Sequence, residues 1–405
     1  MTTARVVDFL RDRFLDRGKA EAVVEYRLTC SGGIYSETFG PDGWRRTLLA
    51  RTIQTERFRL EIVTDPSRDY PQELSLSFAC PEVTEDYFHE GIRDIYSHRP
   101  DDAIAFDLVA IMSLRLRRLV TVAAKVREID TTGGLGPRGE VALPVQDRIG
   151  AYWPAAPSTT VVWPTPEGAK SRVTPHMPNL VAVRAETFQE IGQWIASHSD
   201  DDANRFVAAA RLYQQGLRLL FDNPSLTYLV LVSVVETIAG RRDTTIDVND
   251  LVKRRGDWVS ALKRAGYVED EANRIVGVLA GPATRVRDKF VDFLKRYTPD
   301  AVKAGPAALF PGYGEFASLW PKADQFEEAL DAIYDQRSAL SHGGRDYSPY
   351  IAVGTSPWVP YDAMRTLSRD RAGERVIPAV TWFEAVVHAA VLNFTGIEMG
   401  AAPSQ

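Results

Sequence analysis

The feature that most constrains the fold is a change of hydrophobic period along the chain. Between residues 20 and 80 apolar side chains recur at every second position. Val24, Tyr26, Leu28 and Cys30 alternate with Glu25, Arg27 and Thr29; Phe58, Leu60 and Ile62 alternate with Arg57, Arg59 and Glu61; Leu74, Leu76 and Phe78 alternate with Ser75 and Ser77. Period two gives a strand one wet face and one buried face, as in an antiparallel sheet. Gly32-Gly33, Pro41-Asp42-Gly43 and Asp65-Pro66 supply the turns. From about residue 185 the period becomes 3.6: Phe188, Ile191 and Ile195 begin it, and Phe206, Ala209, Tyr213, Leu217 and Leu220 share one helical face. The two periods in succession predict an α+β chain, with an N-terminal β-containing domain over 1–180 and a C-terminal all-α helical bundle over 185–400.

Within the helical part, Asn223 is placed to cap a helix that has Pro224 at its first position. Residues 225–239 are apolar on nearly every side and belong at the centre of a bundle; Gly240 stops them. Ile275, Val278, Val286, Phe290, Phe293 and Leu294 mark one or two helices, divided near Gly281-Pro282. Pro321 starts another, and the last spans roughly 380–394. Residues 102–128 suit either a helix (Phe106, Val109, Leu116, Val120) or a strand (Val120-Thr121-Val122). The basic residues Arg115, Arg117, Arg118, Lys125 and Arg127 gather there and read as a solvated helix face, with RNA contact as the alternative. Residues 131–180, rich in Gly, Pro and Thr, read as irregular connection.

A net charge of −6 over 405 residues gives no bulk attraction for nucleic acid, although a local cleft needs only a few cations. Cys30 and Cys80 are the only cysteines, without a CxxC motif, which excludes a cysteine zinc site and a disulfide framework. They read as two reduced, buried thiols, with a Cys30–Cys80 disulfide as the alternative. No apolar segment follows Met1-Thr2-Thr3-Ala4-Arg5, so no signal peptide is expected. The longest apolar run, 226–235, is too short to span a bilayer. The expectation is a cytoplasmic protein with no membrane partner.

The chemistry concentrates at 321–342. Phe326, Leu330, Ile333, Arg337 and Leu340 are spaced 4, 3, 4 and 3 and fall on one helical face. Four are apolar and one is an arginine. A lone buried charge costs several kcal/mol, so Arg337 must reach a carboxylate, a bound phosphate or an open cleft. Glu236, near the end of the apolar helix 225–239, is the obvious carboxylate. His342 follows Arg337 by five positions, aligned instead with Asp335 and Ser338, and Gly343-Gly344 predict a left-handed cap directly after it. The helix dipole favours a protonated imidazole in that last turn. A histidine that moves a proton beside an arginine that clamps phosphate suits RNA cleavage without metal or cofactor.

The stretch Ile333-Tyr334-Asp335-Gln336-Arg337-Ser338-Ala339-Leu340-Ser341-His342-Gly343-Gly344 resembles the HEPN superfamily, and within it the Apea-like branch, with its tyrosine, arginine-serine and histidine-glycine pattern. Leu231-Val232-Ser233-Val234-Val235-Glu236 looks like that branch's leucine-rich helix ending in glutamate, and Arg285-Val286-Arg287-Asp288-Lys289-Phe290 like the charged helix between. The resemblance covers roughly 200–395; residues 1–180 resemble no family. It implies a HEPN-like bundle of four or five helices that pairs as a homodimer through the bundle, so that two Arg…His motifs line one cleft. It also implies a metal-independent endoribonuclease of a defence or toxin-type system, acting on RNA by 2′-hydroxyl transesterification, with a trigger or antitoxin partner left open. Arg337 and His342 would be the catalytic pair, supported by Glu236, Ser338 and Tyr334. Ser338 stands where many active members of the wider superfamily carry Asn, Asp or His, and serine is usual in the Apea-like branch. Other HEPN domains are non-catalytic modules for binding or dimerisation that sense RNA, nucleotide or protein, and this is the alternative.

Weaker candidates lie elsewhere. Glu384 and His388 have a metal-binding spacing but no third ligand, and His388 reads as a core or boundary histidine. His89 and His98 stand among Glu85, Asp86, Glu90 and Asp94 without a recognised motif. Asp200-Asp201-Asp202 reads as a dipole-matched helix start. Gly133-Gly134-Leu135-Gly136 lacks the lysine and helix of a phosphate loop. Lys253-Arg254-Arg255 and Lys263-Arg264 read as solvated surface, or as an RNA rim. The connection 345–379 is placed to flank the cleft or join the dimer contact.

Overall fold

The computed structural model describes residues 5–11, 21–30, 35–40, 43–48, 50–55, 57–63, 72–81, 100–130, 143–144, 161–164, 170–173, 186–220, 223–240, 256–304, 321–343 and 377–396. Its N-terminal part is built on strand β1 (Glu21–Cys30). A hairpin of β2 (Tyr35–Gly40) and β3 (Gly43–Leu48) follows, then β4 (Thr52–Gln54), β5 (Phe58–Ile62) and β6 (Gln72–Pro81). After helix α1 (Arg5–Leu10) at the start and α2 (Pro100–Leu116) further on, β7 (Val120–Asp130) and the two-residue β8 (Leu143–Pro144) complete an antiparallel sheet of order β4-β5-β6-β1-β7-β8. A separate two-stranded pair, β9 (Val161–Pro164) and β10 (Lys170–Val173), lies in the stretch read as irregular connection.

The period-two pattern decides which way the sheet faces. Val24, Tyr26, Leu28 and Cys30 of β1 are buried with Phe58 and Leu60 of β5 and Leu74, Leu76 and Phe78 of β6. Each large apolar side chain so buried is worth about 1.5–3 kcal/mol. Cross-strand polar pairs line the other face, including Arg27 with Glu73 at 2.8 Å and Thr29 with Thr121 at 2.7 Å. The β1–β6 register settles the cysteines. Cys30 pairs with Gln72 and Cys80 with Ala22, so the two lie at opposite ends of the ladder, eight positions apart. That is about 26 Å at 3.3 Å per residue, far beyond disulfide reach of each other, and Cys30 is buried.

From residue 186 on, every described element is helical: α3 (Thr187–Ser197), α4 (Asp200–Leu219), α5 (Pro224–Ala239), α6 (Gly256–Arg264), α7 (Glu269–Tyr297), the short α8 (Asp300–Lys303), α9 (Phe326–Gly343) and α10 (Val380–Phe394). The chain is therefore α+β, a sheet followed by a helical bundle. The caps follow from sequence: Asn223 Oδ1 accepts from Leu226 N at 3.0 Å with Pro224 at the first position, and Ser199 Oγ accepts from Asp202 N at 3.1 Å ahead of three aspartates. The helix α7 runs unbroken through Gly281-Pro282 for 29 residues, where a division was expected. Pro282 has no N–H to give the Val278 carbonyl. The helix nevertheless continues, held by apolar contacts on both sides of that turn, Val276 with α6 and Phe290 with the main core.

The core is continuous from the sheet to the last helix. α2 packs on β7 and on α4, and so is buried on opposite sides, while α1 packs on α2, α3 and α4. Arg11, just past α1, donates to the Ile195 carbonyl at 3.1 and 2.9 Å and pairs with Asp200. The basic cluster after α2 is not a solvated face. Arg115, Arg117 and Arg118 are 4%, 2% and 0% exposed, because the chain turns inward from α2 to β7 at Arg117, whose φ of 54° is left-handed.

Candidate active site

The centre of the bundle is α5. Tyr228, Leu231, Val232, Val234, Val235 and Ile238 are buried on several sides of it, as its all-round apolar sequence demands. Glu236 stands one turn before its end. The helix α9 crosses nearby with Phe326, Leu330 and Ile333 buried and Arg337 and Leu340 half-buried along its stripe. Two helices with apolar contact faces thus each bring one charge to their meeting point.

There Arg337 Nη2 donates to Glu236 Oε2 at 3.0 Å, and the Tyr334 hydroxyl donates to Glu236 Oε1 at 3.0 Å. One carboxylate orients both groups. The guanidinium carbon of Arg337 also lies 5.7 Å from the centre of the Tyr334 ring, and that ring packs on Phe290 of α7 at 5.2 Å. The side chains of Arg337 and Glu236 are 25% and 19% exposed, so the pair is reachable from solvent. A guanidinium has five N–H groups; the Arg337 Nε–H is buried without a hydrogen-bond partner among the described residues. Burial pushes the Tyr334 hydroxyl above the usual tyrosine range, and the charge of Glu236 pushes it the same way. Tyr334 therefore stays protonated and keeps donating.

Sequence reasoning missed Arg287. It reaches from α7 to Asp331 at 2.8 Å and to Asp335 at 3.4 Å, one helical turn apart on α9, and so holds α7 against the flank of the arginine-bearing helix. The signal was present: two aspartates spaced i, i+4 beside an apolar stripe need a cation. Ser338 is half-buried on α9. His342 lies on the α9 backbone in its last turn, one residue before the end at Gly343. Its imidazole, and the left-handed cap expected after it, lie outside the described residues.

The other candidates separate cleanly. Glu384 and His388 of α10 do not form a metal pair. Glu384 accepts from Arg117 Nε at 2.9 Å and from the Tyr213 hydroxyl, and all three side chains are buried. His388 Nε2 donates to the Leu114 carbonyl at 2.9 Å. Burial holds His388 well below the usual histidine range, with the charges of Arg117 and Arg115 adding to it. In Arg117, burial works against the charge, but Glu384 outweighs it and raises the value. Gln214 Nε2 donates to the Val120 carbonyl at 2.6 Å. This polar knot fixes the α2–β7 joint to α4 and α10 and is structural. Lys263 and Arg264 lie exposed in the last turn of α6. His89, His98, Gly133–Gly136, Lys253–Arg255 and most of 345–379 lie outside the described residues.

No family model matches the chain, and no curated protein or solved structure matches it. Fold and site together define an α+β protein whose helical bundle carries a half-buried Glu236–Tyr334–Arg337 cluster, with Arg337 about one and a half turns before His342 in the last turn of α9. Among the described residues, no helix is long and apolar enough to cross a membrane.

Proposed function

We propose that the protein is a metal-independent endoribonuclease of a defence or toxin-type system. It cuts RNA by attack of the 2′-hydroxyl on the adjacent phosphate, at a cleft lined by Arg337 and His342 and completed in a homodimer. The observation that carries this reading is the orientation of Arg337 by Glu236 and Tyr334 on a solvent-reachable surface. The HEPN-like pattern around Arg337 and His342 supports it from the sequence.

In this mechanism Arg337 meets the phosphate through N–H groups that Glu236 does not occupy, and stabilises the charge that builds on the non-bridging oxygens. His342 takes the proton of the 2′-hydroxyl or gives one to the leaving 5′-oxygen. The attack forms the bond from O2′ to phosphorus and breaks the bond to O5′, leaving a 2′,3′-cyclic phosphate and a 5′-hydroxyl. Glu236 and Tyr334 position Arg337, and Ser338 is a further polar contact. Purified protein should cut RNA in EDTA, and Arg337→Ala and His342→Ala should each abolish the cutting. Undiminished cutting by both variants would overturn the site.

One observation favours a second reading, a non-catalytic binding or dimerisation module. Glu236, Asp331 and Asp335 set three negative charges against the two of Arg287 and Arg337, so the described cluster carries a net −1 before His342 is counted. A bundle of that kind would bind RNA, nucleotide or protein without cutting. RNA retention together with no cleavage at any protein concentration would select it.

A further inference from the structure

An unbroken run of contacts joins the buried polar knot to the candidate site. At the sheet end, Arg117 of the α2–β7 turn donates to Glu384 of α10 at 2.9 Å. Phe383, next to Glu384 on that helix, has its ring centre 6.1 Å from that of Phe290 on α7. The Phe290 ring is 5.2 Å from the Tyr334 ring of α9. Tyr334 then shares the Glu236 carboxylate with Arg337.

The inner members of this run have no room to shift alone. Glu384 is 1% exposed, and Phe383 and Phe290 are 0% exposed. The two ring pairs are tilted by 51° and 47°, and their separations fall in the range of about 4.5–7 Å at which aromatic rings attract. Phe383 also stacks on Tyr228 of α5 at 5.3 Å, and the Tyr228 hydroxyl donates to the Pro378 carbonyl just ahead of α10. An interior packed to crystal density passes a displacement on instead of absorbing it.

The two ends differ in how they are held. Glu384 is gripped by Arg117 and by the Tyr213 hydroxyl. A buried ion pair adds little stability over a well-packed apolar pair, but its hydrogen bonds are made in one arrangement only. The knot therefore fixes the rotation of α10, and with it the place of Phe383 one position away. At the far end Glu236 and Arg337 are partly in solvent. The ring of Tyr334, resting on Phe290, is what ties that carboxylate to the core.

We infer that Phe383 and Phe290 are positioning residues for Arg337, and that the Arg117–Glu384 pair sets them, so that the seating of the sheet on the bundle fixes the aim of the site. The inference rests on the ribonuclease reading only for its effect on cleavage. NMR of the full chain, isotope-labelled at the tyrosine ring carbon that bears the hydroxyl, tests the run without RNA. The Tyr334 signal is assigned by its loss in Tyr334→Phe. It should move in Phe383→Leu and in Glu384→Gln, both of which alter groups at least one ring removed from Tyr334. It should stay in place in Phe78→Leu, an equally buried ring that packs on Phe9 and Tyr26 in the sheet. Core packing alone would lower the melting temperature in all three and move the Tyr334 signal in none. Should Phe383→Leu fail to fold, Phe383→Met, with its more adaptable side chain, takes its place. In cleavage assays Phe383→Leu and Glu384→Gln should lower kcat roughly 3- to 10-fold with KM little changed, as a misaimed catalytic group does. Phe383→Leu combined with Tyr334→Phe should be no slower than the slower single variant, because both act through one carboxylate. A Tyr334 signal unmoved in Phe383→Leu and Glu384→Gln, or moved as far in Phe78→Leu, overturns the inference. A moved signal with an unchanged kcat also overturns it. Moved signals in a wild-type background that cuts no RNA support the run and overturn the ribonuclease reading instead.

Discussion

Arg337 and Glu236, 101 positions apart in the chain, meet at 3.0 Å where α9 crosses the end of α5. The pair is partly in solvent, and exposed ion pairs contribute about 1 kcal/mol or less. Its value is therefore in aim more than in stability. Glu236→Gln should leave the melting temperature within a few degrees of wild type and lower the rate of RNA cleavage roughly 10- to 100-fold, the usual penalty for a catalytic group displaced by about 1 Å. Single-turnover cleavage beside a thermal melt reads both. An unchanged rate would mean that Arg337 needs no positioning.

Tyr334 donates to the other oxygen of the same carboxylate. Tyr334→Phe keeps the ring on Phe290 and Arg337 and removes one hydrogen bond, so it should cost about 1 kcal/mol and lower cleavage less than Glu236→Gln does. The folded-state value of Tyr334 is raised by burial and by Glu236. Its contribution to stability is thus fully present below the ordinary tyrosine value near 10 and is lost as pH rises above it. Ultraviolet titration should show Tyr334 ionising late together with the buried Tyr213, and one late-ionising tyrosine fewer in Tyr334→Phe.

Removing one partner from the buried knot should be far more damaging. Glu384→Ala leaves Arg117 charged at 2% exposure, and stranding a buried charge costs about 3–5 kcal/mol. Urea unfolding should show that loss. Because the core is continuous from sheet to α10, the sheet and the helices should lose structure together, so tyrosine fluorescence and helical ellipticity should give the same midpoint.

His388 provides the acid side of the pH profile. Its folded value is depressed by burial and by Arg117 and Arg115, so the unfolded chain binds the extra proton. Stability is present above the unfolded value near 6.5 and falls as pH drops below it, by at most about 1.4 kcal/mol per pH unit. Melting temperatures between pH 5 and 7 should fall on acidification, and His388→Gln should flatten that slope.

Much of this architecture was legible in the residues. Alternation at Val24, Tyr26 and Leu28 set the sheet's inner face, Asn223-Pro224 set the start of α5, and an arginine on an apolar stripe demanded the carboxylate that Glu236 supplies. The failures share one cause. Arg115, Arg117 and Arg118 looked solvated because charge is normally on the surface, and only tertiary contacts reveal that Glu384, 267 positions from Arg117, draws that turn inside. The break expected at Gly281-Pro282 rested on the proline alone, whereas the apolar contacts of α7 on both sides of it, at Val276 and Phe290, are again a matter of packing. Arg287 was overlooked because its two aspartates lie on another helix.

The most direct test of the central claim compares, in EDTA, an RNA substrate with one in which the nucleotide 5′ to the scissile phosphate is 2′-deoxy, and analyses the product ends by mass spectrometry. The account predicts a 2′,3′-cyclic phosphate from the RNA, no cleavage of the deoxy-substituted bond, and no product from Arg337→Ala or His342→Ala. Cleavage of the deoxy-substituted bond, or cyclic phosphate released at the wild-type rate by both variants, would contradict it.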